Sequence, residues 1–552
     1  MNTQYTVADY LLDRLAQIGI RHLFGVPGDY NLHFLDHVID HPQIRWVGCA
    51  NELNAAYAAD GYARCQPAAA LLTTFGVGEL SAVNGIAGSY AEYLPVIHLV
   101  GAPTLRAQRA GDMVHHTLGD GDFGHFARMA QEVTAAQASL TVENAKTEID
   151  RLLGVALTER RPVYLLLPGD VAQAPLTPPL SPLALPVTDS SPEALAGFIA
   201  AARELLQPAR HVTLVADFLA ERFGVRQALA QWMNEVPLPH ATLLMGKSVL
   251  DETRAGFIGI YSGAASDPQV RQRVEEADAT ILVGVRLTDT ITAGFSQRLS
   301  AERCIDIQPS VARVGRQAFS PLTMPDAVQA LHQLTSALCG QWPRLTVSRP
   351  ELPASDGDTL DQHAFWRQLQ AFLQPGDVII ADQGTACFGA AALSLPQGCL
   401  FINQPLWGSI GYTLPAAFGV QTALPDRRVL LLIGDGAAQL TIQELGSLLR
   451  DDLKPVILLL NNAGYTVERA IHGPQQRYND IAAWDWCALP QAFGSAAATV
   501  RRVSTPQQLQ SALQTVSDSR QLALIEVLLP PMDVPELLDS ISQAIQLRND
   551  AA

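Results

Sequence analysis

The sequence lacks the features of several common protein classes. Its seven cysteines are odd in number and none forms a CxxC pair, so neither a disulfide framework nor a zinc site is indicated. No apolar run reaches the roughly 18 residues that a membrane span needs. The N-terminus also lacks the basic and apolar regions of a signal peptide. We therefore expect a cytoplasmic protein that has no membrane partner.

Positive charge is also scarce. The chain has 37 Lys and Arg against 54 Asp and Glu, a formal net charge of −17. Nucleic acids are bound by clustered basic side chains, so no nucleic-acid partner is expected. No GxGxxG motif follows a predicted strand, which argues against a nicotinamide-dependent dehydrogenase. A small anionic ligand stays compatible with this charge, because it needs only a local site.

The chain is long and rich in apolar residues. Its 552 residues predict about three domains, and its 48% hydrophobic content can fill large cores. Short continuous apolar runs alternate with helical segments, which is typical of parallel strands covered on both faces. Proline-containing segments at 176–187 and 347–361 indicate linkers. We predict an α/β protein of three doubly wound parallel-sheet domains, at 1–180, 190–340 and 356–552.

One acid lies between two glycines at the end of a predicted strand. Gly434, Asp435 and Gly436 follow the apolar run 428–433, and Asn462 follows the next run along the chain. Parallel strands place their carboxyl ends at one edge of the sheet, where ligands bind. Asp and Asn oxygens suit Mg²⁺ shared with a diphosphate, and glycine lets an anion approach the backbone. A GDG alone could equally be a simple turn between strand and helix.

The residues around this motif decide between the two interpretations. Thr441 and Glu444 are read as the capping box of a crossover helix between the two strands. The pair Asn461–Asn462, with Gly464 after it, completes a GDG…NN pattern that resembles thiamine-diphosphate enzymes. The resemblance implies thiamine diphosphate and Mg²⁺ as cofactors. It also implies that Asp435, Asn462 and the Gly464 carbonyl oxygen bind the metal.

Other cofactor residues follow from the same resemblance. Glu52, in "GCANELNAAYAADGYAR", is similar to the family's glutamate at the aminopyrimidine ring, where a shared proton favours the imino tautomer. The alternative is an ordinary acid in the first turn of a helix, stabilised by the helix dipole. Thr74 is expected near the substrate carboxylate, and Ile410 beneath the bent cofactor. Gly384 joins Gly434, Gly436 and Gly464 among the predicted cofactor-binding residues.

Two further motifs narrow the family. The segments "FGVPGDYN", with Asp29, and "HHTLGDG", with His115 and His116, resemble the pyruvate-decarboxylase type of 2-oxo-acid decarboxylase. Glu468 in "NNAGYTVERAIHG" matches that family's active-site glutamate. Separately, the histidine pair could be a surface feature and PGD a common turn. Together they imply that Asp29 and Glu468 donate protons, whereas the two histidines orient the substrate.

The resemblance covers essentially the whole chain and implies an assembly. Asp29, Glu52 and the two histidines would come from one subunit, and Asp435, Asn462 and Glu468 from another. We therefore expect a homodimer with shared active sites, assembled into a homotetramer as in similar enzymes.

The substrate pocket is predicted from side-chain size. Pyruvate-preferring enzymes resemble this chain but carry an indole side chain where Cys387 stands, and an isoleucine where Val467 stands. The apolar face of a C-terminal helix could close the site, although it could equally be ordinary core packing. The residues predicted to form the pocket are Gln383, Cys387, Phe388, Val467, Leu538, Ile541 and Ile545.

Longer stretches, including "QPLWGSIGYTL" and "GDGAAQLTIQELG", most resemble the bacterial indole-3-pyruvate decarboxylases. The resemblance implies decarboxylation of indole-3-pyruvate to indole-3-acetaldehyde through a thiamine-diphosphate ylide, with phenylpyruvate and other bulky 2-oxo acids also accepted. This activity belongs to tryptophan metabolism and indole-3-acetate formation. The alternatives are a broad-range phenylpyruvate or branched-chain decarboxylase, a carboligase, and a non-catalytic protein that retains the fold.

Overall fold

The computed structural model describes residues 4–186, 188–343, 358–495, 497–518 and 520–550, without the side chains of 545 and 547–550. Within these residues the chain forms three sheets, each flanked by helices. Each sheet lies inside one of the three predicted domains. The boundaries themselves stay predictions, and position 356 lies outside the described residues.

The first domain contains a six-stranded sheet that is parallel throughout, in the order β2-β1-β3-β4-β6-β5. Its three central strands are buried along their whole length, as the continuous apolar runs predict. Its strands are β1 (His22–Gly25), β2 (Arg45–Gly48), β3 (Ala69–Thr74), β4 (Val96–Ala102), β5 (Ala136–Ser139) and β6 (Val163–Pro168). Its helices are α1 (Val7–Gln17), α2 (Leu32–Asp40), α3 (Glu52–Ala63), α4 (Val77–Ala91), α5 (Leu105–Ala110), α6 (His125–Ala130), α7 (Ala145–Glu159) and α8 (Gly169–Ala172).

The middle domain departs from the all-parallel prediction. Its sheet has the order β13-β12-β11-β10-β7-β8-β9, and the last two strands on one side pair antiparallel as a short hairpin. Its strands are β7 (Val212–Ala216), β8 (His240–Thr242), β9 (Phe257–Ile260), β10 (Ala279–Val283), β11 (Cys304–Ile307), β12 (Ala312–Val314) and β13 (Gln317–Phe319). Its helices are α9 (Pro192–Leu206), α10 (Phe218–Arg222), α11 (Arg226–Glu235), α12 (Pro268–Glu275) and α13 (Met324–Leu338).

The third domain repeats the architecture of the first, with the parallel order β15-β14-β16-β17-β19-β18. Its strands are β14 (Val378–Ala381), β15 (Leu400–Ile402), β16 (Val429–Gly434), β17 (Val456–Asn461), β18 (Thr499–Val503) and β19 (Ala523–Leu528). Its helices are α14 (Gln362–Phe372), α15 (Thr385–Ala390), α16 (Thr413–Ala423), α17 (Asp435–Thr441), α18 (Glu444–Arg450), α19 (Thr466–Ile471), α20 (Leu489–Ala492), α21 (Pro506–Val516) and α22 (Glu536–Asp550).

The predicted neighbours β16 and β17 are parallel and adjacent, as expected. The capping box predicted between them is wrong. Thr441 ends α17 instead of capping a helix, and its hydroxyl donates to the Gly411 carbonyl oxygen. Glu444 begins a separate helix, α18, and its carboxyl group contacts the first domain. The crossover is therefore two short helices joined by a turn.

Helices α3 and α16 join the first and third domains. Both are buried along most of their length, and neither has a distinct polar face. Gly61 faces the Ala416 backbone and Gly419 faces the Ala58 carbonyl oxygen, and neither position has room for a Cβ atom. The glycines therefore allow close packing of the helices. This contact fixes the helix that begins at Glu52 against the domain that carries Asp435.

Candidate active site

A cavity of about 470 Å³ opens at the carboxyl edge of the third sheet. It lies beyond the ends of β14, β16 and β17, where the strand pattern predicts a ligand site. Most of the site residues predicted in this domain line it, namely Gln383, Gly384, Phe388, Ile410, Gly434, Asp435, Gly436, Asn462, Gly464, Val467, Glu468, Leu538 and Ile541. The structure therefore brings together residues that are up to 158 positions apart in the chain.

Asp435 is held rigidly at the floor of this cavity. It is the first residue of α17 and is almost fully buried. Its Oδ1 atom accepts the Gly436 N–H at 2.8 Å and its Oδ2 atom accepts the Gly464 N–H at 3.1 Å. Burial raises the pKa of Asp435 to about 6, because the charged carboxylate is removed from water. A cation beside it would favour the ionised form.

The neighbouring oxygens fit such a cation. The Asn462 Oδ1 atom lies 3.2 Å from Asp435 Oδ1 and 2.9 Å from the Gly464 carbonyl oxygen. With the amide oxygen in that position, three oxygens converge with no hydrogen between them. Adjacent ligands of an octahedral Mg²⁺, bound at about 2.1 Å, are about 3.0 Å apart. The donor set predicted from the sequence therefore has the chemistry and the spacing of a magnesium site.

The glycines of this region differ in the space around them. A Cβ atom on Gly434 would meet no other atom within 4 Å, although the five preceding residues of β16 are buried. On Gly436 it would lie 2.6 Å from the Tyr465 ring. Gly384 has a φ of 140°, a conformation that other residues rarely adopt. The open space at Gly434 is compatible with a ligand that approaches the backbone.

We expect Gly464→Ala to unfold more easily and to bind Mg²⁺ more weakly. Gly464 has a φ of 128°, and a Cβ atom would collide with the Asn479 carbonyl oxygen. Strain of this kind costs about 2–4 kcal/mol. Thermal denaturation and Mg²⁺ titration would measure the two effects. Gly446→Ala is the control, since a Cβ atom there meets nothing within 4 Å in the middle of α18. Equal stability of the two variants would contradict this prediction.

The predicted acid and histidines of the first domain also come together. His115 Nε2 lies 2.8 Å from Asp29 Oδ2, and His116 Nε2 lies 3.9 Å from Asp29 Oδ1. The Tyr30 ring stacks on the His115 imidazole at 4.9 Å between centroids. All three side chains of the cluster are partly open to solvent. The cluster is therefore accessible to a group that approaches from outside.

Glu52 and Thr74 lie near the same edge of the first sheet. Glu52 begins α3, and Asn51 caps that helix by accepting the Asn54 N–H at 2.8 Å. A Cβ atom on Gly78 would lie 3.1 Å from Glu52 Oε1 and 3.2 Å from the Thr74 methyl group, so the two side chains border one space. The Thr74 hydroxyl is buried and has no hydrogen-bond partner among the described residues. It is free to bond a ligand.

The two groups of residues do not line the same cavity in the structure. Asp29, Glu52, Thr74, His115 and His116 are absent from the lining of the cavity that holds the diphosphate residues. We refer to each of the two groups as a half-site.

Two predicted pocket residues, Cys387 and Ile545, differ from the others. Cys387 was predicted to line the pocket, but it is fully buried, 3.6 Å from the Asn403 amide nitrogen, and is absent from the cavity wall. Its helical neighbour Phe388 takes that place, because successive side chains on a helix point in different directions. The side chain of Ile545 lies outside the described residues.

The structure adds cavity residues that sequence reasoning missed. Asp289 and Thr290 reach the cavity from the middle domain, in a polar segment after β10 that carries no motif. Tyr465 lines it between the predicted residues Gly464 and Val467. Arg469 is not among the cavity-lining residues, but it is buried, and its guanidinium donates to the Asn462 and Ala463 carbonyl oxygens next to the cavity. Only Arg469 had a possible signal in the sequence, because it directly follows Glu468, the predicted active-site glutamate.

Comparison with known families matches this arrangement domain by domain. Residues 5–125 match the N-terminal TPP binding domain of thiamine pyrophosphate enzymes, residues 199–334 the central domain, and residues 382–527 the C-terminal TPP binding domain. An alpha-keto-acid decarboxylase of Mycobacterium ulcerans (strain Agy99) is 49% identical over 542 residues, which cover 97% of this chain and 95% of the relative. The enzyme of the same name from Mycobacterium tuberculosis (strain ATCC 25618 / H37Rv) is 50% identical over 547 residues, with 97% and 96% covered.

The chain belongs to the thiamine-diphosphate-dependent 2-oxo-acid decarboxylases. The predicted fold, thiamine diphosphate as a cofactor and the reaction class are thereby confirmed, and the decarboxylase is a carboxy-lyase. The family also decides against the nicotinamide-dehydrogenase and non-catalytic alternatives. Among the described residues of the decarboxylase, no helix has both the length and the apolar content to cross a membrane.

Proposed function

We propose that the decarboxylase acts mainly on indole-3-pyruvate, releasing carbon dioxide and indole-3-acetaldehyde, and that it also accepts phenylpyruvate. The observation that carries this proposal is the apolar wall beside Glu468. Val467 and Ile471 from α19, together with Leu538 and Ile541 from α22, face the cavity next to that carboxyl group. An aromatic side chain buried there would contribute roughly 2–3 kcal/mol, which exceeds what the methyl group of pyruvate can gain.

The residues have distinct proposed roles. Asp435, Asn462 and the Gly464 carbonyl oxygen would hold Mg²⁺ and, through it, the diphosphate. Glu52 would share a proton with the aminopyrimidine ring. When bound, the cofactor accepts the electron pair left by carbon dioxide. Glu468 would supply a proton to the product.

The cluster of Asp29, His115 and His116 would complete the proton transfers. The 2.8 Å contact between Asp29 and His115 lets the acid and the imidazole pass a proton between them. Exposure of the cluster on the isolated chain fits a group that works only once a second surface covers it.

We further propose a homodimer with two shared sites, assembled into a tetramer. Each half-site is bordered by exposed large apolar side chains: Leu406 and Trp407 at the cavity, and Val77, Met113 and Leu118 in the first domain. Exposed apolar groups beside polar sites typically mark contacts between proteins. A second copy of the chain would cover both borders and bring Glu52 to the diphosphate site.

The proposed substrate is tested by kcat/KM for indole-3-pyruvate, phenylpyruvate and pyruvate on one preparation. We expect the indole compound to exceed pyruvate by at least about 30-fold, the equivalent of roughly 2 kcal/mol. A preference for pyruvate would contradict the proposal. Branched aliphatic 2-oxo acids as good as indole-3-pyruvate would support the broad-range alternative, and mainly carbon–carbon coupled products would support a carboligase.

A substitution in the apolar cavity wall tests whether that wall determines the preference for indole-3-pyruvate. Val467→Ile adds one methylene group to the cavity, and we expect kcat/KM for indole-3-pyruvate to fall about tenfold while the value for pyruvate changes little. Val142→Ile, at a partly exposed position in the first domain, is the matched control. Equal loss for both substrates would indicate damage to the site rather than a change in its size.

A further inference from the structure

Helix α18 of the third domain holds the segment that precedes Glu52. Glu444, its first residue, is fully buried, and its Oε2 atom accepts the Ala50 N–H at 3.2 Å. Arg450, its last residue, donates from Nη2 to the Gly48 carbonyl oxygen at 2.7 Å. These two hydrogen bonds connect positions 394 and 402 residues apart. The first and last residues of α18 thus form hydrogen bonds with the two ends of the three-residue segment 48–50.

This segment is held partly by its own domain and partly by the third domain. It connects the end of β2 at Gly48 to Glu52, the first residue of α3. The Cys49 N–H donates to Gly25 in the neighbouring strand, whereas Ala50 relies on Glu444. The Cys49 thiol and the Asn54 amide lie against the same carboxyl group. The position of the Glu52 backbone is therefore set from the third domain as well as from its own.

Helix α18 is close in sequence to the diphosphate residues of its own chain, whereas the Glu52 that it holds would serve the site of the second subunit in the proposed dimer. It follows α17, which begins at Asp435, after a turn of two residues. We propose that Glu444 and Arg450 are positioning residues that hold Glu52 in the position required for proton exchange with the aminopyrimidine ring. This inference rests on the proposed role of Glu52 and names the contacts that orient it.

The first test needs no cofactor. In Glu444→Ala the Ala50 N–H loses its acceptor, so we expect hydrogen–deuterium exchange of the peptide spanning 45–55 in the full-length apoenzyme to accelerate about tenfold. Glu444→Gln keeps an acceptor oxygen in the same place, and it should exchange as the unaltered protein does. Gln443→Ala, at the exposed neighbouring position, is the control.

The second test follows the cofactor itself in the holoenzyme. The rate of deuterium exchange at the thiazolium carbon, measured by NMR after acid quench at saturating thiamine diphosphate and Mg²⁺, reports how well Glu52 is placed. We expect about a tenfold slower exchange in Glu444→Ala and in Arg450→Met, with cofactor Kd within about threefold of the original. Glu444→Gln should restore the rate, which a loss of general stability would not explain.

These outcomes separate the inference from the proposed substrate, because neither measurement uses a 2-oxo acid. Failure to decarboxylate indole-3-pyruvate would leave both tests intact. Unchanged thiazolium exchange in both Glu444→Ala and Arg450→Met would overturn the inference. So would an equal loss in Gln443→Ala, or a lower Tm in Glu444→Ala with thiazolium exchange unaffected.

Discussion

Replacing Glu52 by glutamine is expected to lower kcat by roughly 10³-fold, within the range that positioned acid–base groups contribute. Glutamine has nearly the same shape as glutamate but cannot exchange a proton with a ring nitrogen. The Asn51 cap and the packing of α3 against α16 do not involve the Glu52 carboxyl group, so the fold should persist. Steady-state kinetics at saturating thiamine diphosphate and Mg²⁺ would measure the loss, and cofactor binding should remain.

The control addresses the alternative that Glu52 is only a helix-terminal acid. Glu193 lies in the first turn of α9 and is exposed, so it interacts with a helix dipole without lining a site. Glu193→Gln and Glu52→Gln should each change the free energy of unfolding by about 0.3–1 kcal/mol. Only Glu52→Gln should lose activity. If kcat falls less than about tenfold, the proton-transfer role proposed for Glu52 is wrong.

Much of the fold could be predicted because a strand that is buried on both faces is encoded by a continuous run of apolar residues. The run 428–433 is apolar at nearly every position, and such a run between helical segments is typical of a parallel strand covered on both faces. The structure has it as β16, shifted by one residue. The antiparallel hairpin of β12 and β13 could not be recognised in this way, because each strand has only three residues and one is mostly exposed.

The wrong capping box shows where local patterns fail. Thr441 and Glu444 have the spacing of a capping box, but both side chains bind partners that are distant in sequence. Thr441 donates to Gly411, and Glu444 accepts from Ala50. A pattern within four residues carries no information about such tertiary partners, and here they determine the local structure.

The same distinction applies to the site. Asp435 and Asn462 were predictable because each directly follows a strand, and the ends of neighbouring parallel strands must lie together. Cys387 was predicted from size at one position, without knowledge of the direction of its side chain, and it faces Asn403 in the interior. Asp289 and Thr290 could not be found at all, since only the docking of the middle domain brings them to the cavity.

The separation of the two half-sites leads to the last prediction, in which two inactive variants restore each other. Glu52→Gln lacks the first-domain function, and Asp435→Ala lacks a metal ligand. If each site is built from two chains, a mixed dimer has one site with both defects and one with neither. Random mixing after dissociation and reassociation should therefore recover about a quarter of the original activity from two preparations that each have almost none.

A site built within one chain predicts the opposite, because every chain in the mixture carries one defect and no site could be intact. The control mixes Asp435→Ala with Asn462→Ala, two defects in the same half-site, and should recover no activity in either case. Recovery in the first mixture alone would establish that Glu52 acts across the subunit contact. Continued inactivity, with mixed dimers demonstrated by native mass spectrometry, would show that Glu52 and Asp435 of one chain serve the same cofactor.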